Sequence, residues 1–427
     1  MKKNITIIGA GPVGSLLSIY LIKAGYNVQI FEKRPNFTSH FVAQGRSINI
    51  ALSTRGWNAL EFVNLKNIVS PHALPMYGRM IHDIGGAANF QPYSTNHDAI
   101  FAISRNNINQ ILVNEAINNG VNVHFDCKIN DINIHDNIIK YEYEGSPKYH
   151  PYEVLFCADG AHSLLAQKFV QHHISNYDIQ YLTHSYIEIS LPPNNDGSYR
   201  LRPDALHIWP GDNFMLIALP NTDYSFTCTL FMPNEGVHSF HNLESGTYIY
   251  HFFSTFFKDF VSAVSDIDQN VFFQNIFSQL KFSQLHTSYI YPWCCGNTLL
   301  IGDSAHTITP FYGQGMNCGF EDVYQLYLLL EKYNNWYDLF QSFQNLRKPN
   351  TDAIAKMAID NFHEMKFGVA DMSYQKHQAL KKQIIMESNG IFIPKYESVS
   401  FSNIPYVEIY ENDKQLENYI KMIQRQT

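Results

Sequence analysis

A glycine-rich turn close to the N-terminus constrains the fold more than any other feature of this chain. Gly9-Ala10-Gly11-Pro12-Val13-Gly14 lies between a predicted strand, Asn4 to Ile8, and a predicted helix, Pro12 to Ala24. In such a unit the first glycine permits a tight turn, the second admits a pyrophosphate, and the third allows close helix–strand packing. A second strand, Asn27 to Phe31, leads into Glu32, which is placed to accept hydrogen bonds from an adenosine ribose. The turn predicts a Rossmann-like domain and leaves the choice between NAD and FAD open.

Two later motifs favour FAD. Asp159-Gly160 follows the apolar run Val154 to Cys157, and Gly302-Asp303 follows the run Thr298 to Ile301. The segment from Gly302 to Asn317 is rich in proline and glycine and precedes a helical pattern. An aspartate at a strand end, then a loop, then a helix N-terminus can hold a ribityl chain and an electron-rich ring together. No second glycine fingerprint opens a separate nicotinamide domain.

The order of the patterns predicts an α/β fold: a Rossmann-like FAD-binding domain with an inserted, mostly antiparallel β-sheet substrate domain and a helical C-terminal region. Short β-runs separated by turn signals such as Pro210-Gly211-Asp212-Asn213 indicate the inserted sheet. We expect the FAD-binding domain over 1–175, with part of the substrate region near 75–100, and again over 298–333. The β-rich domain is expected over 176–297, and the helical region that closes the substrate pocket over 334–427.

Composition excludes several classes of function. Charged residues make up 16% of the chain, and 30 basic against 38 acidic residues give a net charge of −8 without a dense basic run. Nucleic acid is therefore not an expected partner. The six cysteines form no CxxC pair, which is typical of reduced thiols in a cytoplasmic protein. We expect no secretory signal, no transmembrane anchor and no metal site.

Together the motifs resemble those of the class A flavoprotein aromatic hydroxylases, the family of p-hydroxybenzoate hydroxylase, over essentially the whole chain. Further stretches are similar to the branch of this family that hydroxylates kynurenine, an aryl amine that carries an amino-acid side chain. These stretches are Gly45 to Ser53, Leu206 to Pro210, Ser225 to Pro233, Phe311 to Asn317 and Gly319 to Asp322.

The resemblance implies a set of FAD contacts. Arg105 is expected at the pyrophosphate, Asp303 at the ribityl or pyrophosphate region, and the backbone N–H groups of Met316 and Asn317 at the flavin pyrimidine edge. A helix N-terminus suits that edge because reduced flavin is anionic. The other implied contacts are Gly9, Gly11, Val13, Gly14, Phe31, Glu32, Lys33, Arg34, Ala51, Ile129, Asp159, Pro310 and Gly315.

It also implies a substrate site assembled from distant parts of the chain. Arg79, Tyr93, Asn361 and Tyr396 match residues that hold the amino-acid end of the substrate, and a guanidinium can bind a carboxylate with two parallel hydrogen bonds. Met365 and Phe311 are expected beside them. Taken singly, each of these four residues is explained better by an ordinary surface or core role. It is their joint presence that favours a site.

The implied reaction converts L-kynurenine to 3-hydroxy-L-kynurenine. NADPH reduces bound FAD, O₂ adds at flavin C4a, and the hydroperoxide delivers oxygen to a ring already activated by its own amino group. No catalytic acid or base is assigned, since the protein's part is positioning and exclusion of water. Two alternatives stay open: the same chemistry on another anthranilate-like aryl amine or amino acid, and a non-catalytic flavin-binding scaffold. The sequence leaves the oligomeric state undetermined.

Overall fold

A largely parallel sheet carries the predicted βαβ unit. The computed structural model describes residues 1, 3–38, 49–94, 96–243, 245–279, 281–367 and 372–424, without the side chains of 365–367 and 372–375. In these ranges the sheet has the order β18-β19-β12-β1-β2-β8, and β18 alone runs antiparallel to its neighbour. The strands are β1 (Asn4–Ile8), β2 (Asn27–Phe31), β8 (Asn122–His124), β12 (Val154–Cys157), β18 (Cys294–Cys295) and β19 (Thr298–Leu300).

The register of this sheet brings the three predicted motifs to one edge. Ile8 pairs with Cys157, and Cys157 pairs with Leu300, so the carboxyl ends of β1, β12 and β19 are level. The turns that follow these strands carry the glycine fingerprint, the Asp-Gly pair and the Gly-Asp pair. Ligands of open parallel sheets bind at this edge.

A second, mostly antiparallel sheet has the order β17-β13-β16-β15-β14-β5-β6, in which only β5 and β14 pair in parallel. Its strands are β5 (Gly78–His82), β6 (Ala88–Pro92), β13 (Asn176–Leu191), β14 (Leu206–Pro210), β15 (Met215–Pro220), β16 (Phe226–Pro233) and β17 (Ser283–Tyr291). Strands β5 and β6 come from the region near 75–100, so Arg79 reaches this sheet from an early part of the chain.

Two small antiparallel sheets complete the strands. The first contains β3 (Asn49–Leu52), β4 (Ala73–Met76) and β7 (Ile100–Ser104), and the second β9 (Lys128–Asn133), β10 (Ile138–Tyr143) and β11 (Ser146–Pro151). The first lies beside the segment Gly302 to Gln314, called the flavin loop below, because Ala51 of β3 lies next to Gly313 and accepts a hydrogen bond from Asn317 in the helix that follows.

Helices cover both sheets and form most of the C-terminal third. They are α1 (Pro12–Lys23), α2 (Thr54–Phe62), α3 (Lys66–Val69), α4 (Arg105–Asn118), α5 (Leu164–Gln171), α6 (Gly246–Phe256), α7 (Lys258–Ala263), α8 (Gln269–Ser278), α9 (Gly315–Leu330), α10 (Trp336–Phe367), α11 (Met372–Glu387), α12 (Lys395–Phe401) and α13 (Tyr406–Gln424). Short 3₁₀ turns lie at Ser70–His72, Phe240–Asn242, Gly302–Ser304 and Pro310–Tyr312. In the described ranges no helix has an apolar stretch long enough to cross a bilayer.

Separate apolar clusters stabilise these layers. One surrounds the parallel sheet, a second lies between the antiparallel sheet and α6 to α8, and a third joins the flavin loop to α10, α12 and α13. The β-rich turn pattern did not predict α6, α7 and α8, whose phenylalanines fill the second cluster. The domain boundaries given above stay a prediction.

Candidate active site

A cavity of about 670 Å³ lies between the motif-bearing edge of the parallel sheet and one face of the antiparallel sheet. This volume is in the range of small-molecule sites. One part is lined by the glycine fingerprint and the flavin loop, including Gly11, Asp303 and Met316. The other part is lined by the antiparallel sheet and the C-terminal helices, including Arg79 and Tyr396. The structure thus brings a part of the predicted cofactor residues and a part of the predicted substrate residues to one cavity.

The glycine fingerprint has the geometry that close approach of a pyrophosphate requires. Gly9 has a φ of +99°, and a Cβ there would lie 2.6 Å from the Ala158 carbonyl oxygen. A Cβ on Gly14 would lie 2.0 Å from the Gly9 oxygen. Gly11 lines the cavity and has open space where a Cβ would stand. It also begins α1 without a side-chain cap, so the first N–H groups of the helix are available to phosphate oxygens.

Glu32 is buried at the end of β2, and its carboxylate is hydrogen-bonded to other groups of the protein. Its carboxylate accepts hydrogen bonds from the Ala10 N–H at 2.7 Å and from the N–H and Nε of Arg34 at 2.9 and 2.8 Å. Burial raises the pKa of Glu32, but the hydrogen bonds and charge of Arg34, with the two backbone N–H groups, outweigh burial and hold the pKa below its ordinary value. A ribose diol must therefore share or displace Arg34, whose side chain is half exposed.

The Asp-Gly and Gly-Asp motifs are joined by hydrogen bonds. Asp159 accepts a hydrogen bond from Ser304 Oγ at 3.0 Å and from the Leu164 N–H at 2.9 Å, while Ser304 Oγ accepts the Gly160 N–H at 2.9 Å. Asp159 itself does not line the cavity, whereas Gly160 and Asp303 do. The structure gives Asp159 the task of fixing the two turns against each other.

The flavin loop ends at the N-terminus of α9, which has no side-chain cap. Gly315 and Met316 line the cavity there. The fully buried side chain of Asn317 points elsewhere: its Nδ2 donates to the oxygens of Ala51 and Gly313 at 2.8 and 2.9 Å, and its Oδ1 accepts the Ser53 N–H at 2.9 Å. Asn317 therefore holds β3 against the flavin loop, and the free N–H groups of α9 suit an anionic ring edge.

These residues fit FAD. The two uncapped helix N-termini and the open glycines provide N–H donors for a pyrophosphate and a flavin edge. Arg105, at the start of α4, lines the cavity and makes no ion pair or hydrogen bond with another described residue, so its guanidinium is available for phosphate. Val13, Ala51 and Pro310 also line the cavity, as expected.

The expected FAD contacts that do not line the cavity are Gly9, Gly14, Phe31, Glu32, Lys33, Arg34, Ile129, Asp159 and Asn317. Phe31 is a core residue whose ring stacks on His124 at 4.7 Å. Ile129 of β9 packs against the same core, and Lys33 is exposed. We predicted Phe31 at the adenosine because it precedes Glu32. Side chains alternate along a strand, however, and that of Phe31 points into the core. Contact of these residues with FAD stays a prediction.

At the other end of the cavity Arg79 lies among tyrosines. Its guanidinium carbon is 4.1 Å from the ring centre of Tyr396 and 5.7 Å from that of Tyr93. No described carboxylate forms an ion pair with Arg79. Burial lowers the pKa of Arg79, but nearby Tyr396 and Tyr93 raise it above its ordinary value, so the side chain stays charged. The Tyr396 ring stacks on Tyr93 at 5.3 Å and on Tyr312 at 5.7 Å.

The remaining predicted substrate residues have different surroundings. Asn361 lines the cavity, and its Nδ2 donates to the Phe311 oxygen at 2.7 Å, so this amide holds the flavin loop to α10. The Phe311 ring lines the cavity and packs on Phe362 at 4.6 Å. Tyr93 supports Tyr396 and does not line the cavity. The Met365 side chain lies outside the described residues, as do residues 45–48 of the similar stretch noted above.

Comparison with known proteins agrees with the FAD-binding site that the geometry indicates. A family model described as an FAD binding domain matches residues 2–183 and 254–356. A kynurenine 3-monooxygenase of Myxococcus xanthus is 39% identical over 420 residues, which cover 96% of this chain and 88% of that relative. One of Flavobacterium psychrophilum is 40% identical over 412 residues, which cover 95% and 90%. The chain belongs to the kynurenine 3-monooxygenase family.

Solved structures support the fold of this kynurenine 3-monooxygenase family member. The tetracycline destructase Tet(55) aligns with a TM-score of 0.67 at 16% identity and covers 92% of this chain and 98% of its own. A 2-methyl-3-hydroxypyridine-5-carboxylic acid oxygenase aligns with a TM-score of 0.68 at 17% identity, covering 87% and 95%. The predicted fold class and family are confirmed, and FAD is the cofactor.

The sequence missed one charged group that lines the substrate end. Glu364 lies three residues after Asn361 on α10, and both side chains line the cavity, as residues on one helix face do. Its carboxylate is 3.2 Å from Lys395 Nζ, and Lys395 also pairs with Asp413 at 3.0 Å. Lys395 precedes Tyr396, so these ion pairs fix α12 and its tyrosine against α10 and α13. The helical spacing from Asn361 was an available signal for Glu364.

A buried ionic network behind the flavin loop was also missed. Asp322 of α9 is fully buried and accepts hydrogen bonds from His306 Nε2 at 2.5 Å, Arg347 Nε at 2.7 Å and the Gly302 N–H at 3.3 Å. Glu321 lies 2.9 Å from Arg347 and pairs with Arg55 at 2.6 Å. These partners are far apart in sequence, so no local pattern revealed them. Asp322 fixes the Gly-Asp turn from behind.

Proposed function

We propose that the protein is an FAD-dependent monooxygenase that uses NADPH and O₂ to hydroxylate L-kynurenine to 3-hydroxy-L-kynurenine. The family supports this reaction, since relatives that span almost the whole chain carry the name kynurenine 3-monooxygenase. The electron donor, the substrate and a cytoplasmic location are parts of the proposal.

The observation that supports the substrate is the guanidinium of Arg79, which lies among tyrosines and has no carboxylate partner among the described residues. A charge in a cavity is costly unless it is paired, and here no described acidic side chain supplies the pair. An α-carboxylate from the ligand would complete the site with two parallel hydrogen bonds. The apolar remainder of the cavity wall, including Ile208, Met215 and Phe231, suits the aromatic ring of the same molecule.

The chain's own residues bind, orient and exclude water. FAD held at this site would supply the redox chemistry that transfers oxygen from O₂ to an electron-rich ring. Arg79 fixes the carboxylate end of the substrate, and the Tyr396 ring holds the guanidinium in place from one side. Asn361 donates a hydrogen bond to the Phe311 carbonyl, which keeps the Phe311 ring in the wall of the cavity. The N–H groups at the start of α9 would stabilise negative charge on a flavin held there.

The decisive experiment measures substrate-stimulated NADPH oxidation and the hydroxylated product with purified, FAD-loaded protein. We expect L-kynurenine to give 3-hydroxykynurenine, and Arg79→Ala to weaken kynurenine binding about 10- to 150-fold, as expected for about 1.5–3 kcal/mol from hydrogen bonds to a charged group. Arg202→Ala is the matched control, because Arg202 also lies over an aromatic ring, at 4.1 Å from Phe90, but is paired with Asp204 at the surface.

Three results would contradict the proposal. A yellow protein that forms no product from kynurenine would refute the substrate. A loss of affinity on Arg79→Ala no larger than that of the control would indicate a ligand without a carboxylate, such as another aryl amine. Absence of any substrate-stimulated NADPH oxidation would instead support a non-catalytic flavoprotein.

A further inference from the structure

The residue that leads into α9 is held by a side chain from the C-terminal region. Gln314 directly precedes α9, and its side chain is buried. Its Oε1 accepts a hydrogen bond from the Tyr406 hydroxyl at 2.9 Å. Tyr406 is the first residue of α13 and is fully buried. It lies outside residues 2–183 and 254–356, which match the FAD-binding family model, so that match assigns it no task at the cofactor.

The surroundings of Tyr406 fix the direction of this hydrogen bond. Burial raises the pKa of the Tyr406 hydroxyl well above its ordinary value, so the hydroxyl stays protonated and can donate. The Arg55 guanidinium lies 3.9 Å from the centre of the Tyr406 ring and also pairs with Glu321 of α9 at 2.6 Å. The ring and the hydroxyl of Tyr406 therefore have separate partners, and the hydroxyl can be removed while the cation–π contact stays.

A second contact of the Gln314 amide is longer. Its Nε2 lies 3.4 Å and its Oε1 lies 3.5 Å from Ser53 Oγ, at the start of α2. Both distances exceed the usual range of hydrogen bonds, whereas 2.9 Å lies within it. The Tyr406 hydroxyl is therefore the stronger of the two groups that hold this amide.

The backbone on both sides of Gln314 lines the cavity. Gly313, Gly315 and Met316 belong to the cavity wall, so Gln314 carries the one side chain between two glycines. Because glycine restricts the backbone less than other residues do, the Gln314 side chain is the anchor of this turn. The N–H groups of Gly315 and Met316, which suit a flavin edge, follow directly. Asn317 ties the next part of α9 to β3, whereas Gln314 ties its beginning to α13.

We propose that Tyr406 is a positioning residue for the flavin: through Gln314 it fixes the first N–H groups of α9 at the ring edge. Reduced flavin is anionic, so these N–H groups stabilise the reduced cofactor more than the oxidised one. If the beginning of α9 is displaced, part of that difference is lost and the flavin becomes harder to reduce. This role depends on bound FAD and not on the identity of the substrate.

The test measures the midpoint potential of the flavin in FAD-loaded protein, by reductive titration against a reference dye and without substrate. Tyr406→Phe keeps the ring that Arg55 contacts and removes only the hydroxyl. We expect this variant to lose about three- to tenfold of its preference for reduced over oxidised flavin, as is typical of one hydrogen bond. For a two-electron couple this loss makes the potential about 14–30 mV more negative.

Tyr410→Phe is the matched control. Tyr410 lies one turn further along α13, its ring is 4.7 Å from Lys414 Nζ, and it does not line the cavity. Its replacement should leave the potential unchanged. Gln314→Met keeps the length of the side chain without the amide, and it should shift the potential in the same direction as Tyr406→Phe. If the two residues act through one bond, adding Tyr406→Phe to Gln314→Met should cause no further shift.

Three results would overturn the role of Tyr406. The first is an unchanged potential in Tyr406→Phe, even with a loss of unfolding free energy, because the bond would then serve stability alone. The second is a full further shift in the double variant, because the hydroxyl would then act through another group. The third is release of FAD from Tyr406→Phe but not from Gln314→Met, since both variants break the same bond. None of these results involves kynurenine, so they are distinct from a failure of the proposed function.

Discussion

Replacement of Asp322 tests whether the buried ionic network holds the Gly-Asp turn in place. Asp322→Asn keeps the shape of the side chain but removes its charge, which leaves the buried Arg347 with Glu321 as its acidic partner. Removing one member of a buried ion pair typically costs about 3–5 kcal/mol. Because Glu321 remains, we expect the lower end, a loss of about 3 kcal/mol in the free energy of unfolding. FAD should also be lost more readily, since the Gly302 N–H loses its carboxylate acceptor.

The same substitution should change the acid dependence of stability. Burial raises the pKa of Asp322, but the charges and hydrogen bonds of His306 and Arg347 outweigh burial, so its pKa in the folded protein lies below the ordinary value. A carboxyl with a lowered folded pKa stabilises the protein above its unfolded pKa, and this contribution disappears as the pH falls through the folded pKa. Below about pH 4 the parent protein should therefore lose stability more steeply than Asp322→Asn.

The measurement is urea unfolding of FAD-loaded protein, followed by tryptophan fluorescence for the fold and by flavin fluorescence for cofactor release. Asp352→Asn is the control, because Asp352 pairs with Lys348 one turn away on a more accessible face of α10. Such pairs contribute roughly 0.5 kcal/mol. If Asp322→Asn destabilises the protein by less than about 1 kcal/mol, or no more than the control, the network does not stabilise the turn as argued.

Two further predictions concern the cofactor end. Asn317→Ala removes three hydrogen bonds from a fully buried side chain and should cost about 2–4 kcal/mol of unfolding free energy together with a loss of bound FAD, measured by the same two fluorescence signals. A stable, yellow variant would show that β3 does not need this amide. Glu32→Gln should weaken FAD binding about 10- to 100-fold, measured by titration of the apoprotein, because a charged acceptor for the ribose is lost; unchanged affinity would assign Glu32 to holding Arg34 alone.

Local patterns predicted the parallel sheet well because its signals are short-range. The fingerprint glycines, the strand β1 and the helix α1 all lie within the first 23 residues, and each is dictated by sterics or by burial of neighbouring residues. The helices α6 to α8 were not predicted, because their many phenylalanines suit a strand as well as a buried helix face. Packing of those rings against the antiparallel sheet decides between the two.

In the site, the sequence predicted which residues lie near the ligand better than it predicted what their side chains contact. Asp159 and Asn317 were predicted as cofactor contacts, Asn317 through its backbone N–H, and in this structure the side chains of both bind other parts of the protein. A motif marks which turn is near the ligand, but it does not say whether the side chain or the backbone faces it. The sequence did not reveal the role of Asp322, because its partners His306 and Arg347 are 16 and 25 residues away and only the fold brings them together.

The two ends of the cavity differ in how far the protein satisfies its own polar groups. At the cofactor end Glu32 is bound by Arg34, and Asn317 by three backbone groups, so that end is preformed and offers mainly backbone N–H donors. At the substrate end the guanidinium of Arg79 has no acidic partner among the described residues. We expect a ligand carboxylate to supply this partner. Specificity for the substrate would then follow from the same guanidinium, because a ligand that lacks a carboxylate leaves it without an ion pair.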